Sequence, residues 1–415
     1  MNHPELQLNP TPRTILCTLT GDDRHGVASA LLQIAAAFDA IVLDFEQSVV
    51  RGRLLLVGLF RPTSNTEVEM TESICRMATD HDLQVTVEGG RRDNLSRCGG
   101  YASVVIIGAP LTARSLVAVT ERIAKHGANI DQVRRLASDP VTTLELDLSG
   151  ADVPSLRHQL ALDAATHQID IAVTPGGLAR RGRHLIVMDV DSTLIQDEVI
   201  ELLAAHAGRA AEVIEVTERT MRGELDFEQS LHERVRCLAG LDENVLQQVR
   251  SAIRFTPGAR TLVRTVKRLG FSVAVVSGGF IEIVAPLAAE LGIAHAHANQ
   301  LEVVDEQLTG RLVGQVVDRA EKARTLKRFA EDAGLPLSRT VAIGDGANDL
   351  DMLAAAGLGI AFNAKPVVRA RADATVNVPY LDVVLFMLGI SREDVEEADR
   401  AAAASKASSL GSPHA

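Results

Sequence analysis

The sequence predicts an α/β protein. Its C-terminal half forms a parallel sheet covered by helices and topped by an inserted helical cap, and two copies of a smaller α+β unit precede it. Three observations carry this reading. The apolar runs HLIVMD (184–189), FSVAVVS (271–277) and TVAIGD (340–345) are continuous and separated by helical stretches, the pattern of strands buried on both faces. Residues 101–174 repeat the arrangement of 13–90, with Gly21 matching Gly108 and Asp44 matching Asp131, the signature of a duplicated unit. Glu198–Ile253 keeps helical periodicity with no good strand, as an inserted cap would.

Bulk properties bound the function. The chain has 415 residues, too many for a single core. Hydrophobic residues make up 46% and aromatics only 3%, without tryptophan, so Ala, Val, Leu and Ile must build the cores. A net charge of −12, without long Lys/Arg blocks, argues against nucleic acid or an anionic membrane as partner. No stretch approaches the roughly 20 apolar residues that span a bilayer. Cys17, Cys75, Cys98 and Cys237 are scattered, which reads as free thiols in a reducing compartment. With no secretory signal in MNHPELQLNPTPR, a cytoplasmic location is expected.

In chain order, 1–12 reads as a polar tail. The first unit, 13–90, contains strand-like Thr14–Thr20, helical Val27–Phe38, and strand-like Ile41–Leu43 and Leu54–Phe60. Gly89–Gly100 reads as a linker. The second unit, 101–177, contains strand Ser103–Ile107, helix Leu116–Ile123 and strand Val141–Leu148, and Pro175–Gly182 is the next junction. The sheet domain spans 178–392 with its cap at about 199–254, and the Ala/Ser-rich end, 393–415, is expected to be disordered.

Four constellations fall at or beside strand ends. Asp189-Val190-Asp191-Ser192-Thr193 follows the first apolar run. If strand geometry persists, its two acids share a face and repel unless a cation or a proton intervenes; Mg²⁺ suits such oxygen ligands. Ser277-Gly278-Gly279-Phe280 offers backbone N–H groups at a strand-to-helix turn, a phosphate-binding arrangement. Lys322 lies early in a helix, and Gly344-Asp345-Gly346-Ala347-Asn348-Asp349 ends a third strand. Each alone has a plain structural explanation as a turn or a solvated residue. Together, at one sheet edge, they form a phosphoryl-transfer set.

At these residues the sequence resembles the haloacid dehalogenase superfamily, which has a Rossmann-like core. DVDSTLI, GELDFEQSL, VSGGF, LTG and AIGDGANDLDML are similar to its phosphoserine phosphatase family. The resemblance covers roughly 183–388. It implies Asp189 as nucleophile and Asp191 as general acid and base. Mg²⁺ would be held by Asp189, the backbone carbonyl of Asp191, and Asp345. Ser277, Gly278 and Lys322 would hold the phosphoryl oxygens, with Asn348 and Asp349 in support. Glu198 would take the substrate ammonium, Arg234 its carboxylate, and Met221 and Phe227 would close the pocket. The implied substrate is O-phospho-L-serine, whose three charges match a Glu, an Arg fork and a cationic cradle.

The two N-terminal units resemble ACT domains, βαββαβ modules that often bind amino acids. The first carries Gly21-Asp22-Asp23-Arg24-His25-Gly26, a candidate ligand turn in which Asp22, Asp23 and Gly26 matter most. The second departs from it, with Ala109-Pro110-Leu111-Thr112-Ala113-Arg114 after Gly108. Serine sensing and a dimerisation or spacer role stand as alternatives for these units. L-serine is the expected effector and a homodimer the expected assembly. Two rival readings stay open: the same core acting on phosphothreonine or a phosphoprotein, and an amino-acid sensor with a vestigial catalytic half.

Overall fold

The computed structural model describes residues 13–63, 66–90, 100–177, 180, 182–221 and 224–410. These fall into two compact units divided between 90 and 100. The expected tail at 1–12 and most of the expected linker, 91–99, lie outside the described residues.

The first unit runs β1 (Thr14–Asp22), α1 (Val27–Ala37), β2 (Ile41–Val50), β3 (Arg53–Arg61), α2 (Glu67–Asp80) and β4 (Gln84–Gly90). Its sheet is antiparallel in the order β2-β3-β1-β4. Alternate residues of β1, Ile15, Cys17 and Leu19, face Leu31 of α1 and Ile74 of α2 in one core. Strand β2 is an edge with Ile41, Val42, Val49 and Val50 exposed.

The second unit opens with the same motif: β5 (Ala102–Gly108), α3 (Ala113–Lys125), β6 (Asn129–Ala137), β7 (Thr142–Ser149), α4 (Val153–His167) and β8 (Asp170–Pro175), in sheet order β6-β7-β5-β8. Then follow β9 (Leu185–Met188), α5 (Val199–His206), α6 (Ala210–Met221), α7 (Phe227–Arg236), α8 (Asn244–Ala252) and α9 (Ala259–Arg268). The chain continues through β10 (Ser272–Phe280), α10 (Ile281–Glu290), β11 (His295–Val304), β12 (Gln307–Val313), α11 (Arg319–Asp332), β13 (Thr340–Gly344) and α12 (Leu350–Ala355). It ends with β14 (Leu358–Phe362), α13 (Pro366–Arg369), β15 (Ala374–Val376), α14 (Val384–Met387) and α15 (Arg392–Leu410).

The large sheet has the order β12-β11-β10-β9-β13-β14-β15 and is parallel except at β12. Every residue of β9 is buried, which is why LIVM shows no alternation. Helices α5–α8 interrupt the strand–helix alternation and form the cap. The small sheet's β8 packs against β15, and Asp170 there accepts hydrogen bonds from Thr375 Oγ1 (2.7 Å), Asn377 N (2.9 Å) and Asn377 Nδ2 (2.6 Å).

The expectation of disorder from 393 onward is corrected over 393–410 by α15. Alanine is the strongest helix former, and Asp399 pins the helix through ion pairs to Arg264 and Arg268. Residues 411–415 lie outside the described residues.

Candidate active site

Strand β9 ends in the middle of the sheet, so whatever follows it sits at the carboxyl edge, where open α/β sheets bind ligands. Asp189 stays in the sheet, its N–H donating to Ile343 O at 2.9 Å. The strand geometry then stops. Val190–Leu194 forms a tight π-type turn with Ser192 at φ +55°. Alternation along a continuing strand is therefore not what brings Asp189 and Asp191 together; the turn does so, at the cost of a left-handed serine.

Asp189 is 5% exposed and lies 2.8 Å from Lys322 Nζ. Lys322, fully buried, also donates to Asp349 Oδ1 at 2.7 Å. Burial, then Asp349, pushes the Asp189 carboxyl up, with Lys322 opposing. Burial works against the Lys322 charge, but Asp189 and Asp349 outweigh it and hold its pKa above the ordinary lysine value. Asp349 accepts from Gly346 N with its other oxygen (3.0 Å), closing the turn after β13.

Asp191 Oδ1 accepts from Val199 N, at the start of α5 (2.9 Å), and Oδ2 from Ser277 Oγ (3.2 Å). Burial first, and then Glu198, pushes its pKa up to about 7. Ser277 Oγ in turn accepts from Gly279 N at 2.7 Å. A Cβ on Gly279 would lie 2.8 Å from Asp191 Oδ2, so only glycine lets the carboxylate approach this loop. Asp345 accepts from Thr193 Oγ1 (2.9 Å), and burial, then Asp349, pushes it up to about 6.

Carboxylate oxygens of Asp189, Asp345 and Asp349 lie within 4.8 Å of one another. An all-oxygen set of this kind fits a hard divalent cation such as Mg²⁺. The Asp191 side chain stands outside this group, its oxygens committed to Val199 and Ser277.

One cavity of about 310 Å³ gathers the expected residues. Asp189, Asp191, Glu198, Phe227, Arg234, Gly278, Asp345 and Asn348 all line it. Glu198 accepts from Ser192 Oγ at 2.7 Å. Burial lowers the pKa of Arg234, with Glu198 and Asp191 pulling the other way. Met221 ends α6, and its side chain lies outside the described residues.

Two participants had no sequence signal of their own. Lys365 lines the cavity from the start of α13. Asn299 is 2% exposed, donates to Gly278 O and accepts from Val317 N, both at 2.8 Å. The run HAHANQL is too polar to read as an interior strand, although recognising β11 would have placed Asn299 beside the Ser277 loop.

In the first unit, Gly26 has φ +91° and caps α1, with no side chain within 4 Å of where a Cβ would be. Asp22 is engaged by Arg53 at 2.7 Å, whereas the Asp23 side chain is exposed. The ACT candidate residues thus meet at one turn, remote in sequence from the cavity residues.

The fold and the cavity define a haloacid dehalogenase-like hydrolase: the model of that family matches 186–354, and ACT-domain models match 13–88 and 102–174. A phosphoserine phosphatase of Streptomyces coelicolor is 55% identical over 93% of this chain and 94% of its own. Phosphoserine phosphatase SerB2 of Mycobacterium tuberculosis is 47% identical over 94% and 96%. The unliganded crystal structure of a probable phosphoserine phosphatase from Vibrio cholerae matches with a TM-score of 0.55 and 34% identity, covering 71% of this chain and 88% of that one. The chain belongs to the phosphoserine phosphatase family, with two ACT domains preceding the hydrolase domain. No helix among the described residues is long and apolar enough to cross a membrane.

Proposed function

We propose that this protein hydrolyses O-phospho-L-serine to L-serine and phosphate through an aspartyl-phosphate on Asp189, the closing step of serine synthesis. The observation that carries this is one cavity lined at once by Asp189, Asp191, Glu198 and Arg234. That combination offers a nucleophile, a proton donor, an ammonium partner and a carboxylate partner.

In the first step an Asp189 oxygen attacks phosphorus as the bond to the seryl oxygen breaks, and Asp191 gives that oxygen its proton. A pKa near 7 suits a carboxyl that must hold a proton and then lose it. In the second step the Asp191 carboxylate takes a proton from water, the water oxygen attacks phosphorus, and the bond to Asp189 breaks. Ser277, the Gly278 region and Lys322 hold the phosphoryl oxygens throughout, and Asn348 borders them. Glu198 and Arg234 orient the amino acid, with Phe227 closing over it. Asp189, Asp345 and the backbone carbonyl of Asp191 would hold Mg²⁺, and Asp349 keeps Lys322 in place. When bound, the metal offsets charge on the carboxylates and the phosphate.

The ACT domains are read as an L-serine site at Asp22, Asp23 and Gly26, and as the contact of a homodimer. The exposed apolar edge β2 supports pairing. The unpaired Cys17, Cys75 and Cys237 support a reducing, cytoplasmic setting.

Phosphate release tests the reading, with O-phospho-L-serine, O-phospho-L-threonine and a phosphorylated protein compared side by side, with Mg²⁺ and after EDTA. Rapid, Mg²⁺-dependent release from phosphoserine, well above the other two, is expected. Equal or greater release from the others overturns the substrate assignment, and release unaffected by EDTA overturns the metal.

A further inference from the structure

The hairpin β11–β12 contacts two elements that line the catalytic cavity, the Ser277–Gly279 loop and the end of α7. Midway along β11, Asn299 meets an irregularity of β10. The β10–β11 pairing jumps from Val276↔His297 to Phe280↔Asn299, so Ser277–Gly279 bulge out of the ladder. That excursion frees Gly278 O from the ladder, and an unpaired buried carbonyl is costly. The Asn299 amide supplies the missing donor and, with its oxygen, ties down Val317 N, one residue before the Asp318 cap of the helix carrying Lys322. One side chain thus holds both the glycine loop and the start of α11.

At its far end the hairpin holds the cap. The segment after α7 is added to the free edge of β12: Gly240 N donates to Leu308 O, Leu308 N to Leu241 O, and Glu243 N to Glu306 O, each at 2.8 Å. Gly310 has φ +78°, and a Cβ there would lie 2.9 Å from Ala239 Cβ and 3.2 Å from Arg236 Cα and O. Glycine therefore sets how close the end of α7 comes to β12, and Arg234 lies on that last turn of α7. This accounts for the LTG signature at Leu308–Gly310, which contributes nothing to the cavity itself.

We propose that Asn299 and Gly310 are positioning residues of one hairpin that aligns the phosphoryl cradle with the substrate-reading Arg234. The proposal rests on the assignment of the Ser277–Gly278 loop to the phosphoryl group and of Arg234 to the substrate carboxylate. It makes the two ends separable by substrate. Asn299→Asp keeps the acceptor for Val317 N but sets a carboxylate against Gly278 O. It is expected to lower kcat/KM about tenfold or more on phosphoserine and on p-nitrophenyl phosphate alike, and to raise the orthovanadate inhibition constant in proportion. Gly310→Ala is expected to lower kcat/KM about tenfold on phosphoserine while changing p-nitrophenyl phosphate less than about twofold. Adding Ala239→Gly to Gly310→Ala should recover part of that loss, because it removes the nearest clash. Thermal melts of each full-length variant identify loss of fold, and if Gly310→Ala does not fold, the double variant and Asn299→Asp still decide. Equal losses on both substrates for Gly310→Ala or the double variant, or a phosphoserine-only loss for Asn299→Asp, overturn the proposal. Arg234→Ala measured in parallel separates the failures. If it too is unselective, the carboxylate assignment falls; if it is selective while Gly310→Ala is not, the hairpin's role falls.

Discussion

Lys322 Nζ lies 2.8 Å from Asp189 Oδ2, with the lysine fully buried and the aspartate nearly so. A buried cation between Asp189 and Asp349 compensates two charges that would otherwise stand uncompensated. Lys322→Met should abolish turnover and, because removing one partner of a buried charge cluster costs about 3–5 kcal/mol, lower the melting temperature strongly. Without the ammonium, which opposes the upward shift, the folded-state pKa of Asp189 is raised further above its unfolded value, so the folded variant binds more protons and gains stability as pH falls. In EDTA, the melting gap between wild type and variant should be wider at pH 8 than at pH 5. A gap independent of pH would show that the lysine serves packing alone.

Asp191 offers a test of proton donation. Its pKa of about 7 means that the protonated form required for serine departure is lost as pH rises through neutrality. For phosphoserine, kcat/KM should fall along that limb. For p-nitrophenyl phosphate, whose leaving group needs no proton, the limb should be absent. Asp191→Asn should lower kcat/KM on phosphoserine about 100-fold more than on the aryl ester. Equal losses would remove Asp191 from the leaving-group step.

Much of this site was legible because parallel sheets collect strand ends at one edge. Asp189, Ser277 and Asp345 each follow an apolar run, and the topology β11-β10-β9-β13 brings those ends side by side. The reason given for Asp191 was not legible, because a π-type turn with a left-handed Ser192 leaves no periodic pattern. Asn299 was hidden by its own polar strand. Helix α15 was misread as disorder because Ala-rich composition describes a helix as well as a tail, and the pairing of Asp399 with Arg264 and Arg268 spans more than a hundred residues. Glu198 and Arg234 look like ordinary helix residues in sequence, and only the resemblance singled them out.

Arg234→Ala should weaken phosphoserine hydrolysis by a charge-assisted contact of about 1.5–3 kcal/mol, read as kcat/KM, and leave p-nitrophenyl phosphate nearly untouched. The aryl ester has no carboxylate to lose. A matching loss on both would assign Arg234 to the phosphoryl group or the fold.

Gly26→Ala places a side chain at φ +91° where space is free, so its effect is backbone strain of about 1–2 kcal/mol rather than a clash. If the Asp22–Gly26 turn binds L-serine, the concentration of serine that half-alters activity should rise about fivefold or more, while kcat without serine stays the same. An unchanged serine response would reduce the ACT pair to assembly and make serine a simple product competitor at Glu198 and Arg234.

The most direct measurement is acid-quenched labelling with ³²P-phosphoserine followed by peptide mapping. Wild type should carry an acid-stable, hydroxylamine-labile phosphoryl group on the peptide containing Asp189. Asp189→Asn, nearly isosteric but unable to attack, should remain folded with neither label nor turnover. Near-normal phosphate release by Asp189→Asn with deamidation excluded, or label mapping to another residue, would contradict covalent catalysis by Asp189.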